Sequence, residues 1–274
     1  MKYKIYNVVD ILHHLNINIE NKEPFSLIRF GDGGLKMMNS YSNRNNKNIK
    51  IIESKEGLPK NKMGDIIKLW ANYANKADYI DNPSVYDDLY FWGRYKKKIT
   101  PINKGTKKLL LDWEKIYNKI GISTINRKYC NPEFNWLAIL NLENNLIELM
   151  KNRKICFISI FDKIERLHKF DIDFIKVVAH YENQFDNSFA DIMKYIEENA
   201  TKYDLWLNSS GELGRLYSGR IKDLGGRVLD MGFVAQYWND FSRPNRFEHF
   251  IEPDLYNSIQ MKLTKNGMKY KKNI

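Results

Sequence analysis

The sequence predicts an α/β fold: a mostly parallel sheet with helices on both faces and a helical stretch inserted in its middle. Three observations carry the prediction. From residue 154 onward, short apolar runs alternate with helical segments, the pattern that right-handed crossovers impose on a parallel sheet. Near the start, the apolar run FSLIRF (25–30) follows an amphipathic helix. No internal repeat and no long Pro/Gly/Ser linker divides the 274 residues, a length that suits one core with an insertion.

Taken in order, the first helix is marked by Val8, Val9, Ile11, Leu12 and Leu15. FSLIRF then runs into GDGG (31–34), a glycine-held turn that presents Asp32. The polar stretch NSYSNRNNKNIK (39–50) reads as a loop, placed to close over a ligand. Residues 56–150 read as mainly helical, on MGDIIKLWANYANKADYI, DDLYFWGRYKKK and NWLAILNLENNLIELM, with nothing that alternates as a strand. The repeating part begins with KICFISI (154–160) and the helical FDKIERLHKF. DFIKVVA (173–179) precedes the loop HYENQFDN and the helix SFADIMKYIEENA; YDLWLNS (203–209) precedes the helix of GELGRLYSGRIKDLG; GRVLDMG is the fourth run. Gly225-Gly226 closes a helix as a C-cap. The arrangement is Rossmann-like, and such sheets bind ligands at the carboxyl ends of their strands.

Composition narrows the class. With 43% hydrophobic and 14% aromatic residues the chain is folded, not disordered. Its apolar stretches are too short to cross a bilayer and MKYKIYNVVDILHHLNINIE lacks a signal-peptide pattern, so the expected location is the cytoplasm. Cys130 and Cys156 lie far apart without ligand spacing, which argues against a zinc site or a disulfide framework. The net charge of +11 points to an anionic partner, served equally by nucleic acid, a nucleotide diphosphate or an anionic membrane. The runs RYKKK (94–98) and KYKK (269–272) are solvated faces by default, and the second also offers charge to a membrane surface.

The strand ends nominate the candidate residues. Ser209-Ser210-Gly211 open a helix whose inward face is Leu213, Leu216, Tyr217, Ile221 and Leu224; small residues and free N–H groups there suit a phosphate, and equally an ordinary serine N-cap. Asp230 ends the fourth run beside Gly232, placed to meet a substrate hydroxyl or metal, or to cap a helix beginning near Val234. Tyr237 and Trp238 offer rings to a base or sugar, or to the core. His180, Glu182, Asn183 and Asp186 share the same rim.

Four segments together resemble the GT-D fold glycosyltransferases. SLIRFGDGG resembles their Arg-Phe-Gly-Asp-Gly-Glu signature, SSGELGRLYSGRIKDLGGRVLDMGFVAQYW is similar to their C-terminal block, and ENQFD is similar to their Asn-Ala-Phe-Asp loop. The likeness covers roughly residues 22–40 and 150–240. It implies one glycosyltransferase-like domain over 1–274, with 56–150 as an insertion and 241–274 as a C-terminal extension. It also implies transfer of a sugar from a nucleotide diphosphate donor, commonly a UDP-sugar, to a glycan or glycoconjugate acceptor. Position by position, Arg29, Gly31, Asp32 and Gly33 match the signature, Asn183 the loop asparagine, and Asp230 the late aspartate. Gly34 stands where the signature has glutamate, and Phe233 where relatives often have histidine.

In that family the Asp-x-Glu pair is associated with a divalent metal and the donor. Here Asp32 alone remains of the pair, which weakens the expected site for Mn2+ or Mg2+; Arg29 and the 209–211 helix start are the metal-free means of neutralising a diphosphate. A buried Arg29–Asp32 structural pair is the alternative for this motif. An inverting reaction requires a base for the acceptor hydroxyl, with Asp230 first, Asp240 second, and Glu182 and Glu133 behind them. Two competing readings stand beside the enzyme: a catalytically degenerate sugar-nucleotide binder or partner subunit, favoured by Gly34, and a basic nucleic-acid-binding protein, disfavoured because the charge is dispersed. A dehydrogenase or methyltransferase would carry its glycine-rich loop after the first strand and an acid after the second. Here the phosphate-type helix start follows a late strand.

Overall fold

Eight short strands form one parallel sheet in the computed structural model, which describes residues 4–6, 8–43, 58–81, 108, 112–130, 143–178, 183–232 and 234–239. The strands are β1 (Lys4–Tyr6), β2 (Phe25–Ile28), β3 (Tyr79–Asp81), β4 (Lys128–Cys130), β5 (Ile155–Ser159), β6 (Ile172–Lys176), β7 (Leu205–Ser209) and β8 (Arg227–Asp230). Their order is β1-β4-β3-β2-β8-β7-β5-β6, and each neighbouring pair runs parallel. Parallel pairing forces long crossovers, and these carry the helices α1 (Val8–Glu20), α2 (Gly31–Ser42), α3 (Met63–Lys76), α4 (Trp113–Ile120), α5 (Glu143–Met150), α6 (Ala190–Asn199) and α7 (Gly214–Asp223), while α8 (Val234–Asn239) follows β8.

The two-residue period of the strands divides the core into two layers. Phe25, Leu27, Ile155, Phe157, Leu205, Leu207 and Leu229 face a layer made with α1, α5 and α8. Ile28, Cys156, Ile158, Trp206 and Val228 face the other, packed on α2, α3, α4, α6 and α7. Every residue of β2, β5 and β8 is buried, as a sheet covered on both sides requires, whereas β6 at the end of the order is partly exposed. Both cysteines are buried and free. Among the described residues no helix is long and apolar enough to cross a membrane.

The structure departs from the sequence reading in several places. The 56–150 region does carry α3, α4 and α5, yet it also supplies β3 and β4, three residues each and too short to show alternation. β1 escaped notice for the same reason. FDKIERLHKF forms only one 3-10 turn, Glu165–Leu167. Residues Asn39–Ser42 belong to α2 and not to a loop, while the remainder of that polar stretch, 44–50, lies outside the described residues, as does 241–274. Val9 is half exposed, whereas Val8, Ile11, Leu12 and Leu15 are buried.

Helices α3 and α7 lie side by side, and their contact fixes where α7 begins relative to the sheet. Along it Arg215 sits over the Trp70 ring at 4.9 Å, Tyr73 rests on Gly219, and Lys76 pairs with Asp223 at 2.9 Å. A β-carbon at Gly219 would fall 2.0 Å from Tyr73 Cγ, so only glycine admits the ring. Gly219→Ala should therefore cost about 1–3 kcal/mol through overpacking, read as a lower denaturation midpoint with an unchanged m-value. The cost should shrink when Tyr73→Ala is added.

Candidate functional site

The strand order assembles the site. β2 lies between β3 and β8, and β7 follows β8, so four carboxyl ends stand side by side, bearing Asp81, the Arg29–Gly31 turn, Asp230 and Ser209. The registers pair Ile28 with Ile80 and Leu27 with Leu229, which brings both aspartates level with the point where β2 gives way to the turn.

At that point Arg29, Phe30 and Gly31 leave the strand, and buried charged side chains take over their backbone groups. Asp230 Oδ2 accepts the Arg29 N–H at 3.1 Å. Asp81 accepts three bonds, from the Phe30 N–H at 3.0 Å, the Gly31 N–H at 2.8 Å and the Tyr117 hydroxyl at 3.2 Å. Arg215, on the first turn of α7, donates from Nε to the Arg29 carbonyl at 2.8 Å and from Nη2 to the Phe30 carbonyl. A buried backbone group left without a partner costs about 1–3 kcal/mol, and here three separate elements prevent it. Gly31 adopts φ 56, the left-handed conformation glycine takes without strain, and this swings the chain from β2 into α2. Asp32 and Gly33 follow as the second and third residues of that helix.

Asp230 is 8% exposed, and its second oxygen accepts the Gly232 N–H at 3.0 Å. Desolvation raises its carboxyl pKa above the ordinary value, against the opposing charges of Arg29 and Arg215 and the backbone bonds from Gly232 and Arg29. Arg215 is held by more than its hydrogen bonds: it pairs with the Glu212 carboxylate and lies over the Phe30 ring at 5.3 Å.

The β7–α7 connection differs from expectation in detail. The helix begins at Gly214 and not at 209–211, because Asn208 organises the intervening turn: its amide donates to the Gly214 carbonyl and, at 2.8 Å, to Ser218 Oγ, while its oxygen accepts from Ser210. Ser209 donates to the Gly232 carbonyl, joining this turn to the end of β8. Of the predicted inward residues, Leu213, Leu216, Tyr217 and Ile221 are buried, and Leu224, just past the end of α7, is partly buried.

The remaining candidates fall less centrally. Asn183 has φ 53 and is tied into its own loop, donating to Asp186 Oδ2 at 2.6 Å and accepting the Asp186 N–H at 3.2 Å ahead of the π-helical Phe185–Phe189. Trp238 is 3% exposed and edge-on to Phe157, so its ring serves the core. Tyr237 lies in α8. Asp240, Glu133, Glu182, His180 and Phe233 lie outside the described residues. No three His, Cys, Asp or Glu among the described residues gather as a metal-ion cage, and a guanidinium lies beside Gly34, where an Asp-x-Glu pair would have its glutamate.

Sequence reading missed Asp81, Asn208, Glu212 and Arg215. Asp81 closes a run too short to be seen as a strand. Arg215 did leave a signal, a basic residue beside the inward positions Leu213, Leu216 and Tyr217.

No protein-family model matches the chain, and no curated protein matches it in sequence. Solved structures do share its fold. One is described as a new glycosyltransferase (domain of unknown function 1792) from Streptococcus sanguinis, with TM-score 0.57 at 14% identity over 88% of this chain and 85% of that one. Another is described as the highly conserved domain of unknown function 1792 with a distinct glycosyltransferase fold, with TM-score 0.56 at 14% identity over 88% of this chain and 82% of that one. The selenomethionine structure of the same domain gives 0.57 at 14% identity, over 88% and 82%. The chain thus has the architecture of a fold described as that of a glycosyltransferase.

If Asp81 holds the turn, removing it strands three donors at once. Asp81→Ala should lower unfolding stability by about 3 kcal/mol, measured by chemical denaturation, well beyond an ordinary surface substitution.

Proposed function

We propose that the chain is a glycosyltransferase that moves a sugar from a nucleotide diphosphate donor, a UDP-sugar in the first instance, to a hydroxyl of a glycan or glycoconjugate acceptor. The observation that carries this reading is the Arg29–Gly31 turn, braced by Asp81, Asp230 and Arg215 at the carboxyl edge of a parallel sheet. The likeness to a fold described as a glycosyltransferase fold supports it.

In such a transfer the acceptor oxygen attacks the anomeric carbon and the bond from that carbon to the diphosphate breaks. Negative charge gathers on the leaving diphosphate, and fixed dipoles and cations that need no rearrangement stabilise it most. On this reading the donor lies over the ends of β2, β8 and β7. Arg29 supplies positive charge, and Gly31 and Gly33 allow close approach to the start of α2. The hydroxyl protons of Ser209 and Ser210 are committed to Gly232 and Asn208, so contact with the diphosphate falls to the backbone of 209–211. Asn183 and Tyr237 remain candidate donor contacts, and Asp32 is the carboxylate assigned to the reacting end. Asp230, with an N–H on each oxygen, is assigned to bracing the turn. The acceptor proton then falls to Asp240.

Calorimetric titration with UDP and a UDP-release assay on UDP-sugars test the proposal together. UDP should bind and binding should survive EDTA, while Asp240→Asn should slow turnover about a hundredfold. Binding without turnover of any UDP-sugar would favour the catalytically degenerate binder, and no binding of any nucleotide diphosphate would contradict both.

A further inference from the structure

The space beside Gly34 is taken up by the Arg215 guanidinium and the Phe30 side chain. A β-carbon there would stand 3.0 Å from Arg215 Nη2, 3.2 Å from its Cζ and 3.0 Å from Phe30 Cβ. One residue earlier, a β-carbon at Gly33 would fall 2.6 Å from Glu212 Oε1. The start of α2 is thus overlaid by an ion pair from the far side of β8: Arg215 and Glu212 pair with side chains only 7% and 17% exposed. The same guanidinium donates to the carbonyls of Arg29 and Phe30. Only a planar fork can meet two carbonyls and a carboxylate together, so a lysine at 215 does not reproduce the arrangement. Losing one partner would leave the other as a poorly compensated charge.

We propose that Arg215 and Glu212 are positioning residues for the donor site, and that Gly34 is coupled to them. They hold the Arg29–Gly31 turn and the first turn of α2 in the geometry that receives the diphosphate. A side chain at 34 acts by dislodging the guanidinium from the two carbonyls. The coupling is geometric, while the role in donor binding rests on the glycosyltransferase reading.

A double-mutant cycle on Gly34→Glu and Arg215→Ala tests this with two readouts: amide hydrogen exchange of residues 29–31 in the ligand-free protein, and UDP affinity by calorimetry. Each single variant should speed exchange in the turn and weaken UDP binding about tenfold or more. The effect of the double variant should be much less than additive and close to that of Arg215→Ala alone, because with the guanidinium gone only Phe30 Cβ is left for the introduced side chain to crowd. Arg215→Lys should fail to restore either readout, and it takes the place of Arg215→Ala in the cycle if the alanine variant does not fold. Additive effects, or a Gly34→Glu protein that behaves as wild type, would overturn the coupling. Faster exchange with unchanged UDP affinity would reduce the pair to a structural brace and overturn the positioning role. Failure of the wild-type protein to bind UDP would instead count against the glycosyltransferase reading, and the exchange cycle would then decide the coupling alone.

Discussion

The backbone of Arg29, Phe30 and Gly31 is held by charges it does not itself carry, and the organisation of the site depends on that. Where a strand ends inside a covered sheet, its amides and carbonyls lose their ladder partners in a place water does not freely reach. Asp81, Asp230 and Arg215 replace those partners, each delivered by a different element. Two aspartates accept the N–H groups and an arginine donates to the carbonyls, so the signs of the buried charges match the signs of the backbone dipoles they meet. The turn is consequently stiff before any ligand arrives, the property that lets fixed dipoles contribute to catalysis.

The sheet topology makes this bracing available. Placing β2 at the centre, between a strand from the first third of the chain and one from its last third, lets residues 81 and 230 flank residue 29. The α3–α7 contact does the rest: Gly219 leaves room for the Tyr73 ring against α7, and Arg215 lies over both the Phe30 and the Trp70 rings. Core packing and site geometry are therefore one problem here.

Much of the later half was legible because its elements are long enough to declare themselves. The β5–β8 runs and the inward face of α7 show apolar patterning over several residues, and Asp230 at a strand end followed from that. Residues 79–81 and 128–130 did not show, since three residues cannot display a period, and Asp81 was lost with them. Arg215 showed only as a basic residue beside the inward positions of α7: its importance lies in the carbonyls of Arg29 and Phe30, 186 and 185 positions away, and no local pattern encodes a contact at that range. Trp238 shows the converse, an aromatic at a promising place in sequence that the core takes up. Gly34 read as a departure within a motif, and in the structure it lies against the Arg215 guanidinium.

A crystal structure of the protein with UDP would test the central claim most directly. The account predicts the diphosphate against residues 29–34 and 209–211, with the bonds from Asp81, Asp230 and Arg215 to the turn unchanged. A diphosphate bound away from the carboxyl ends of β2, β8 and β7, or a turn that breaks those bonds to admit it, would contradict the account.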